Sequence, residues 1–214
     1  WGITRIDMKI SYAITVCSEY DEIQKLLSTL FLNIREEDEI VVLFDKKSGT
    51  AEVWEYLIEL KKKEYIKLTP KTFKNHFADW KNHLTGLCTG DYIFQIDADE
   101  IPDNQLIIAL PKIIEGNLDN EVYLVPRVNT VEGLTEEHIQ KWGWKVDDKG
   151  WVNWPDYQWR IWKNKPEIKW VNKVHEKLEG FKTYATLPPM KDLALYHPKE
   201  IKRQEKQNKY YSTL

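Results

Sequence analysis

The chain has 214 residues, 42% hydrophobic and 30% charged, with a formal net charge of −3. This is the make-up of one globular domain with a sizeable core, and it excludes a protein that holds nucleic acid by bulk positive charge. No apolar run reaches membrane-spanning length and no signal-peptide pattern opens the chain, while Cys17 and Cys88 fit reduced core thiols better than a disulfide framework. A cytoplasmic setting is expected, with peripheral attachment to a membrane left open. Met8-Lys9-Ile10 reads as a native start, which makes residues 1–7 an added leader or an upstream extension.

Residues 10–17 predict a strand, and Ile23, Leu26, Leu27, Leu30 and Phe31 give residues 22–32 a helical spacing. A second buried strand is expected over 39–44. A helix over 51–62 follows, with Val53, Trp54, Leu57, Ile58 and Leu60 on its apolar side. A short strand over 65–68, a helix over 76–88 stopped near Gly90, and a strand over 92–96 complete the first half. Strand and helix alternate with short connections, which predicts an α/β fold: a mostly parallel sheet with helices on both faces.

After Pro102 the pattern changes. A helix over 104–114 ends at Gly116, and a strand follows over 122–125. Residues 129–170 read as irregular and rich in aromatics. Trp142, Trp144, Trp151, Trp154, Trp159, Trp162 and Trp170 fall there, so most are expected in the core, with Trp142, Trp144 and Trp151 the more exposed. Short strands are predicted over 158–162 and 168–171, a last strand over 193–196, and a polar helix or tail over 199–211. The reading is a single domain in which residues 8–103 form one half and the aromatic-rich 104–214 the other, sharing one sheet.

The strand over 92–96 runs into three acids, Asp97, Asp99 and Glu100. Carboxylates at the end of a core strand are costly to bury unless something pairs with them. Mg²⁺ or Mn²⁺ is the natural partner, since both take hard oxygen ligands and keep positions open for phosphate. Ligands of open α/β sheets bind beyond the carboxyl ends of the strands. The competing reading is an acidic turn that caps the helix after Pro102.

Four blocks together resemble the family 2 nucleotide-sugar glycosyltransferases of GT-A fold. The block 10–19 is similar to the family's opening strand, with Thr15 where a proline is usual and Ser18 where an asparagine is common. Val41-Val42-Leu43-Phe44-Asp45 resembles the strand whose aspartate contacts the base, with Phe44 in place of a preceding aspartate. Lys81-Asn82, Gly90-Asp91-Tyr92 and Asp97-Ala98-Asp99 resemble the Arg-Asn, Gly-Asp-Tyr and Asp-x-Asp elements. Gln158-Trp159-Arg160-Ile161-Trp162 followed by His175-Glu176 resembles the Gln-x-Arg and His-Glu pattern of bacterial sugar transferases.

The resemblance implies a donor site lined by Thr15, Glu19, Asp45, Lys81, Asp97, Ala98 and Asp99. It also implies a divalent cation on Asp97, Asp99 and His175, with His197 the runner-up ligand and Glu100 orienting a neighbour. A UDP-sugar is the expected donor, with Asp45 accepting from the uracil N3–H and Lys81 reaching a phosphate. A glycan or lipid-linked saccharide is the expected acceptor. Inversion needs a general base, and Asp156 and Glu176 both qualify, Asp156 being preferred. Arg160, bounded by aromatics, is expected to hold Asp156 or Glu176 or to grip the diphosphate. Three alternatives stand beside this. A sugar-nucleotide nucleotidyltransferase would want a glycine-rich loop after the first strand, where residues 16–20 have no glycine. A carbohydrate-binding module would not need acidic strand tips. Modified DNA as acceptor would use Lys199, Lys202, Arg203, Lys206 and Lys209, diluted by Glu200 and Glu205.

Overall fold

A computed structural model describes residues 7–213; the expected upstream extension, but for Asp7, lies outside them. The chain runs β1 (Ile10–Val16), α1 (Tyr20–Asn33), β2 (Glu39–Asp45), α2 (Ala51–Lys62), β3 (Lys67–Lys71), α3 (Phe77–Gly86) and β4 (Tyr92–Asp97). It continues β5 (Ile101–Pro102), α4 (Asn104–Glu115), β6 (Val122–Val125), β7 (Arg127–Glu132), α5 (Glu136–Trp142) and β8 (Gln158–Lys163). It closes with β9 (Lys169–Val171), β10 (Lys177–Glu179), β11 (Tyr184–Thr186), β12 (Leu195–Glu200) and α6 (Ile201–Tyr211).

A seven-stranded sheet in the order β11-β6-β8-β4-β1-β2-β3 forms the centre. Its β4, β1, β2 and β3 are parallel, and so are β11 and β6; β8 runs antiparallel between β4 and β6. β1, β2 and β4 are buried almost throughout, which is why they read as continuous apolar runs rather than alternating ones. Ile23, Leu26, Leu27 and Leu30 of α1 and Leu106, Ile107, Leu110 and Ile114 of α4 join these strands in one core. Trp80 and Leu84 of α3 join Trp162 and Trp170 in a second cluster. A small sheet, β5-β12-β7, stands beside the open end of β4, and a two-stranded ribbon pairs β9 with β10.

The chain departs from the sequence reading in several places. The third strand starts and ends later than 65–68, because Pro70 sits on the sheet's edge strand, where a missing N–H is tolerated. The third helix is shorter at both ends; His76 caps it, its Nδ1 accepting from the amide of Asp79 at 3.2 Å. The last strand continues through Pro198 to Glu200, so Lys199 lies on a strand and the helix begins at Ile201. The stretch read as irregular contains β7 and α5. α5 buries no residue, and β7 buries only Val128, so neither shows an apolar period. Of the seven clustered tryptophans only Trp162 and Trp170 are fully buried; Trp154 and Trp159 are half-buried like Trp142, Trp144 and Trp151. Cys17 and Cys88 are both free. Among the described residues no helix is long and apolar enough to cross a membrane.

Candidate active site

The carboxyl ends of β1, β2 and β4 open into a cavity of about 960 Å³, whose other walls come from α3, β7, β12, α6 and the chain around Asp156 and His175. The parallel register puts Thr15 opposite Asp97, and the Thr15 hydroxyl donates to Asp97 Oδ1 at 3.4 Å. Gln95 Nε2 donates to the same oxygen at 2.8 Å. β8 pairs with β4, Ile161 opposite Phe94, and this carries Arg160 to the acidic turn.

Of the partners expected for Arg160, neither Asp156 nor Glu176 is the carboxylate it pairs with; Asp97 and Glu100 are. Its guanidinium donates to Asp97 Oδ2 at 2.9 Å, Glu100 Oε1 at 2.7 Å and Gln95 Oε1 at 3.1 Å. The pairing of β8 with β4 is the cause: it sets Arg160 beside the carboxyl end of β4. Glu100 is fully buried and also accepts from Arg127 at 2.9 Å. Asp97 and Glu100 are thus held by the buried Arg160, with Arg127 as a second partner of Glu100. Burial alone would push the Asp97 carboxyl up; Arg160 beside it, with Lys81 next, holds it well below the usual carboxylate range. Burial likewise lowers the Arg160 guanidinium, and Glu100 and Asp97 more than reverse this.

Asp99, like Asp97, lines the cavity, but its partners come from β12 and α6. His197 faces it, Nε2 to Oδ2 at 3.4 Å, and Arg203 NH2 lies 3.3 Å from the same oxygen. Burial raises the Asp99 carboxyl and the His197 contact lowers it further than that. A chain of hydrogen bonds sets the state of His197. Arg127 donates to Asp156 Oδ2 from Nε at 3.0 Å and NH2 at 2.7 Å, and Asn129 Nδ2 donates there at 2.8 Å. The amide group of Asn129 is thereby oriented, and its Oδ1 faces His197 Nδ1 at 2.9 Å, the two residues being register partners of β7 and β12. Oδ1 can only accept, so Nδ1 donates to it, and Nε2 is the atom presented to Asp99.

His175 lies on the cavity wall in the left-handed backbone region, φ 52°, its ring 5.9 Å from that of Tyr211. The histidine brought to Asp99 is therefore His197. Glu176 accepts from Lys81 Nζ at 2.5 Å, and that ammonium sits 4.5 Å from the Trp170 ring. Among the described residues no three His, Cys, Asp or Glu side chains form a ready-made metal cage. Glu19 Oε2 accepts from the amides of Cys17 and Ser18, fixing the turn after β1. Asp45 Oδ1 accepts from the amides of Lys47 at 2.9 Å and Phe73 at 3.0 Å; the described residues place no donor on Oδ2. Ala98 is buried beneath the acidic turn.

Sequence reasoning did not find Arg127, Asn129 or Gln95, whose roles come from neighbours distant in sequence. Lys199 and Arg203 were seen only as tail charges. His197 and Lys199 are two apart on β12, the strand period that puts them on one side.

The arrangement is an acidic strand end facing a ring of cations in a polar cavity. Two solved structures are similar to this chain in fold. The S. aureus TarS fragment 1–349 matches 89% of this chain at a TM-score of 0.61 and 15% identity. The same fragment in complex with UDP-GlcNAc matches 89% at 0.61 and 14% identity. This chain spans 60% and 58% of those chains. No curated protein matches it. The fold is the GT-A fold the four sequence blocks implied, and the family model described as glycosyl transferase family 2 matches residues 11–184. The match runs from Ser11 in β1 to Tyr184, the first residue of β11, and so takes in nearly all of the central sheet and the acidic end of β4; the chain belongs to glycosyl transferase family 2.

Proposed function

We propose that this chain transfers a sugar from a UDP-sugar to a hydroxyl group of a saccharide, free or lipid-linked, with inversion at the anomeric carbon. The observation that carries the reading is Asp99 at the tip of β4, turned into the cavity with His197 Nε2 against it. A lone imidazole nitrogen and a carboxylate oxygen are the donor set of a Mn²⁺ or Mg²⁺ site that leaves its remaining positions to phosphate oxygens. Such a site needs no third protein ligand, so Asp99 and His197 fit the ion, with Asp97 and His175 at the margin. When bound, the ion would stabilise charge on the departing diphosphate as a Lewis acid.

The residues of the chain have the other tasks. Asp45 Oδ2 is open to the uracil N3–H. Arg160 and Arg127 hold Asp97 and Glu100 as anions and fix the turn that aims Asp99. Asp156 is the proposed base, because its two oxygens are used unequally. Oδ2 takes three donors from Arg127 and Asn129, while Oδ1 accepts only from Gln158 Nε2 at 3.0 Å. A base oriented by fixed partners with one oxygen left for the substrate is what proton abstraction needs. The acceptor oxygen would form its bond to the anomeric carbon as the bond to the diphosphate breaks, and its proton would pass to Asp156 Oδ1. Trp144, on the cavity wall and 4.6 Å from Trp142, offers a ring face to the acceptor sugar.

Calorimetric titration with UDP, with and without Mn²⁺, tests the reading. Binding strengthened by the metal is expected; no binding at millimolar UDP with either Mn²⁺ or Mg²⁺ removes it.

A further inference from the structure

Six Lys and Arg side chains line the cavity; among the described residues four are committed to carboxylates, and of the other two Lys206 is exposed. Lys81 is held by Glu176, Arg127 by Glu100 and Asp156, and Arg160 by Asp97 and Glu100. Arg203 reaches Glu22 at 2.9 Å, Asp99 at 3.3 Å and Glu19 at 3.6 Å. Lys199 differs. Its ammonium donates to Gln207 Oε1 at 2.6 Å and to Gln204 Oε1 at 3.5 Å, and among the described residues no carboxylate holds it. This half-buried ammonium rests on neutral amides; burial lowers it, Asp99 acts in its favour only from beyond contact, and the guanidinium groups of Arg127 and Arg203 act against it, so no carboxylate among the described residues is in contact with it.

Resting on the donor assignment above, we propose that the corner between β12 and α6 binds the donor's diphosphate. Lys199 is its standing cation, and Arg203 is a second one recruited from Glu22 and Asp99 when phosphate arrives. Two features of the fold support the exchange. Arg203 is 37% exposed and its ion pairs to Glu22 and Glu19 lie at the cavity mouth, where such pairs are weak and replaceable. α6 buries no residue, so it can shift without opening the core. Asp99 also cannot serve Arg203 and a divalent cation at full strength together. A divalent cation held by Asp99 and His197 would weaken the Arg203–Asp99 pair and leave Arg203 free for phosphate.

The test is UDP affinity by calorimetry in the presence of Mn²⁺, on the whole chain. Lys199→Gln should melt at the wild-type temperature without ligand and bind UDP roughly tenfold more weakly, the loss of one charge-assisted hydrogen bond. Lys199→Arg should restore most of the affinity. Glu22→Gln, which removes an anion competing for Arg203, should tighten UDP binding by about threefold. Wild-type affinity in Lys199→Gln, or Lys199→Arg as weak as Lys199→Gln, overturns the role of Lys199. Unchanged or weaker binding in Glu22→Gln overturns the recruitment of Arg203. A wild-type chain that binds no UDP removes the donor reading itself, and is told apart from these because the variants are compared only where the wild type binds.

Discussion

Asp156 and Glu176 are both carboxylates in the cavity wall, and their partners separate them. Asp156 is oriented by Arg127 and Asn129 with one oxygen nearly open; Glu176 is closed in a pair with Lys81. Asp156→Asn keeps shape and hydrogen bonding but cannot take a proton. UDP binding should persist while turnover falls by roughly 10²–10⁴. Glu176→Gln should instead loosen Lys81 and weaken UDP binding with a smaller change in turnover. The opposite pattern in a turnover and affinity comparison would transfer the role to Glu176. The strand-end acids also set a pH dependence. Asp97 and Asp99 lie below their ordinary value of 3.8 in the folded chain. A carboxyl lowered on folding stabilises the fold above its unfolded value, and that contribution is lost as pH falls through the folded one. The unfolding midpoint should therefore drop as pH is taken below about 4, less steeply in Asp99→Asn. An equal slope in the variant would show that Asp99 is not a source of the effect. Asp97, Asp99, Asp45 and Arg160 could be singled out from the sequence, because each sits at the end of, or within, an apolar strand pattern. Arg127 and Asn129 could not, since β7 has no apolar alternation to announce it.

At the scale of the element, α6 is the part held least firmly. Its attachments are polar or at its edge: Arg203 to Glu22, Glu205 to His138 at 3.3 Å, and Tyr210 to Asn75 at 3.2 Å, with the Tyr211 ring against Phe77. With no residue buried it can open locally at a small fraction of the global cost. Trypsin should cut first at Lys202, Arg203, Lys206 or Lys209. UDP with Mn²⁺ should slow those cuts if phosphate draws Arg203 inward, and equal cutting rates with and without ligand would count against that closure. The sequence showed α6 as a polar helix or tail, which was correct as far as it went. A polar helix carries no apolar stripe to say where it lies, and only the ion pairs reveal that it crosses the cavity mouth. The strands β1, β2 and β4 were legible for the converse reason: burial on both faces writes them as uninterrupted apolar runs.

Across the whole molecule, the two ends of the central sheet do different work. At the end away from the cavity, Glu39 accepts from Ser11 Oγ at 2.6 Å, the Thr89 amide at 2.7 Å, Lys9 Nζ at 2.9 Å and Lys67 Nζ at 2.5 Å. Gly90 follows at a point where a Cβ would come within 2.7 Å of the Ser11 backbone nitrogen, so only glycine lets β4 start this close to β1. Glu39→Ala leaves the buried Ser11 hydroxyl and the Thr89 amide without their acceptor, and should cost about 1–3 kcal/mol of stability. UDP affinity of the folded variant should not change; a loss of affinity matching the loss of stability would show the two ends are coupled. This division explains why architecture was easier to read than chemistry. The closed end and the strands obey local pattern, while the open end is assembled from β1, β2, β4, β7, β8, β12, α3 and α6, elements spread over the chain.

One attachment of α6 has a further meaning. Glu205 meets His138 on α5, and the His138 ring stacks 5.1 Å from Trp142, next to Trp144 on the cavity wall. One turn of α6, carrying Arg203 and Glu205, thus touches both the mouth where the diphosphate would sit and the aromatic surface where the acceptor would lie. If donor phosphate draws α6 inward, the surface offered to the acceptor changes with it. Thermodynamic linkage makes the relation mutual: whatever factor the donor adds to acceptor affinity, the acceptor must return to the donor.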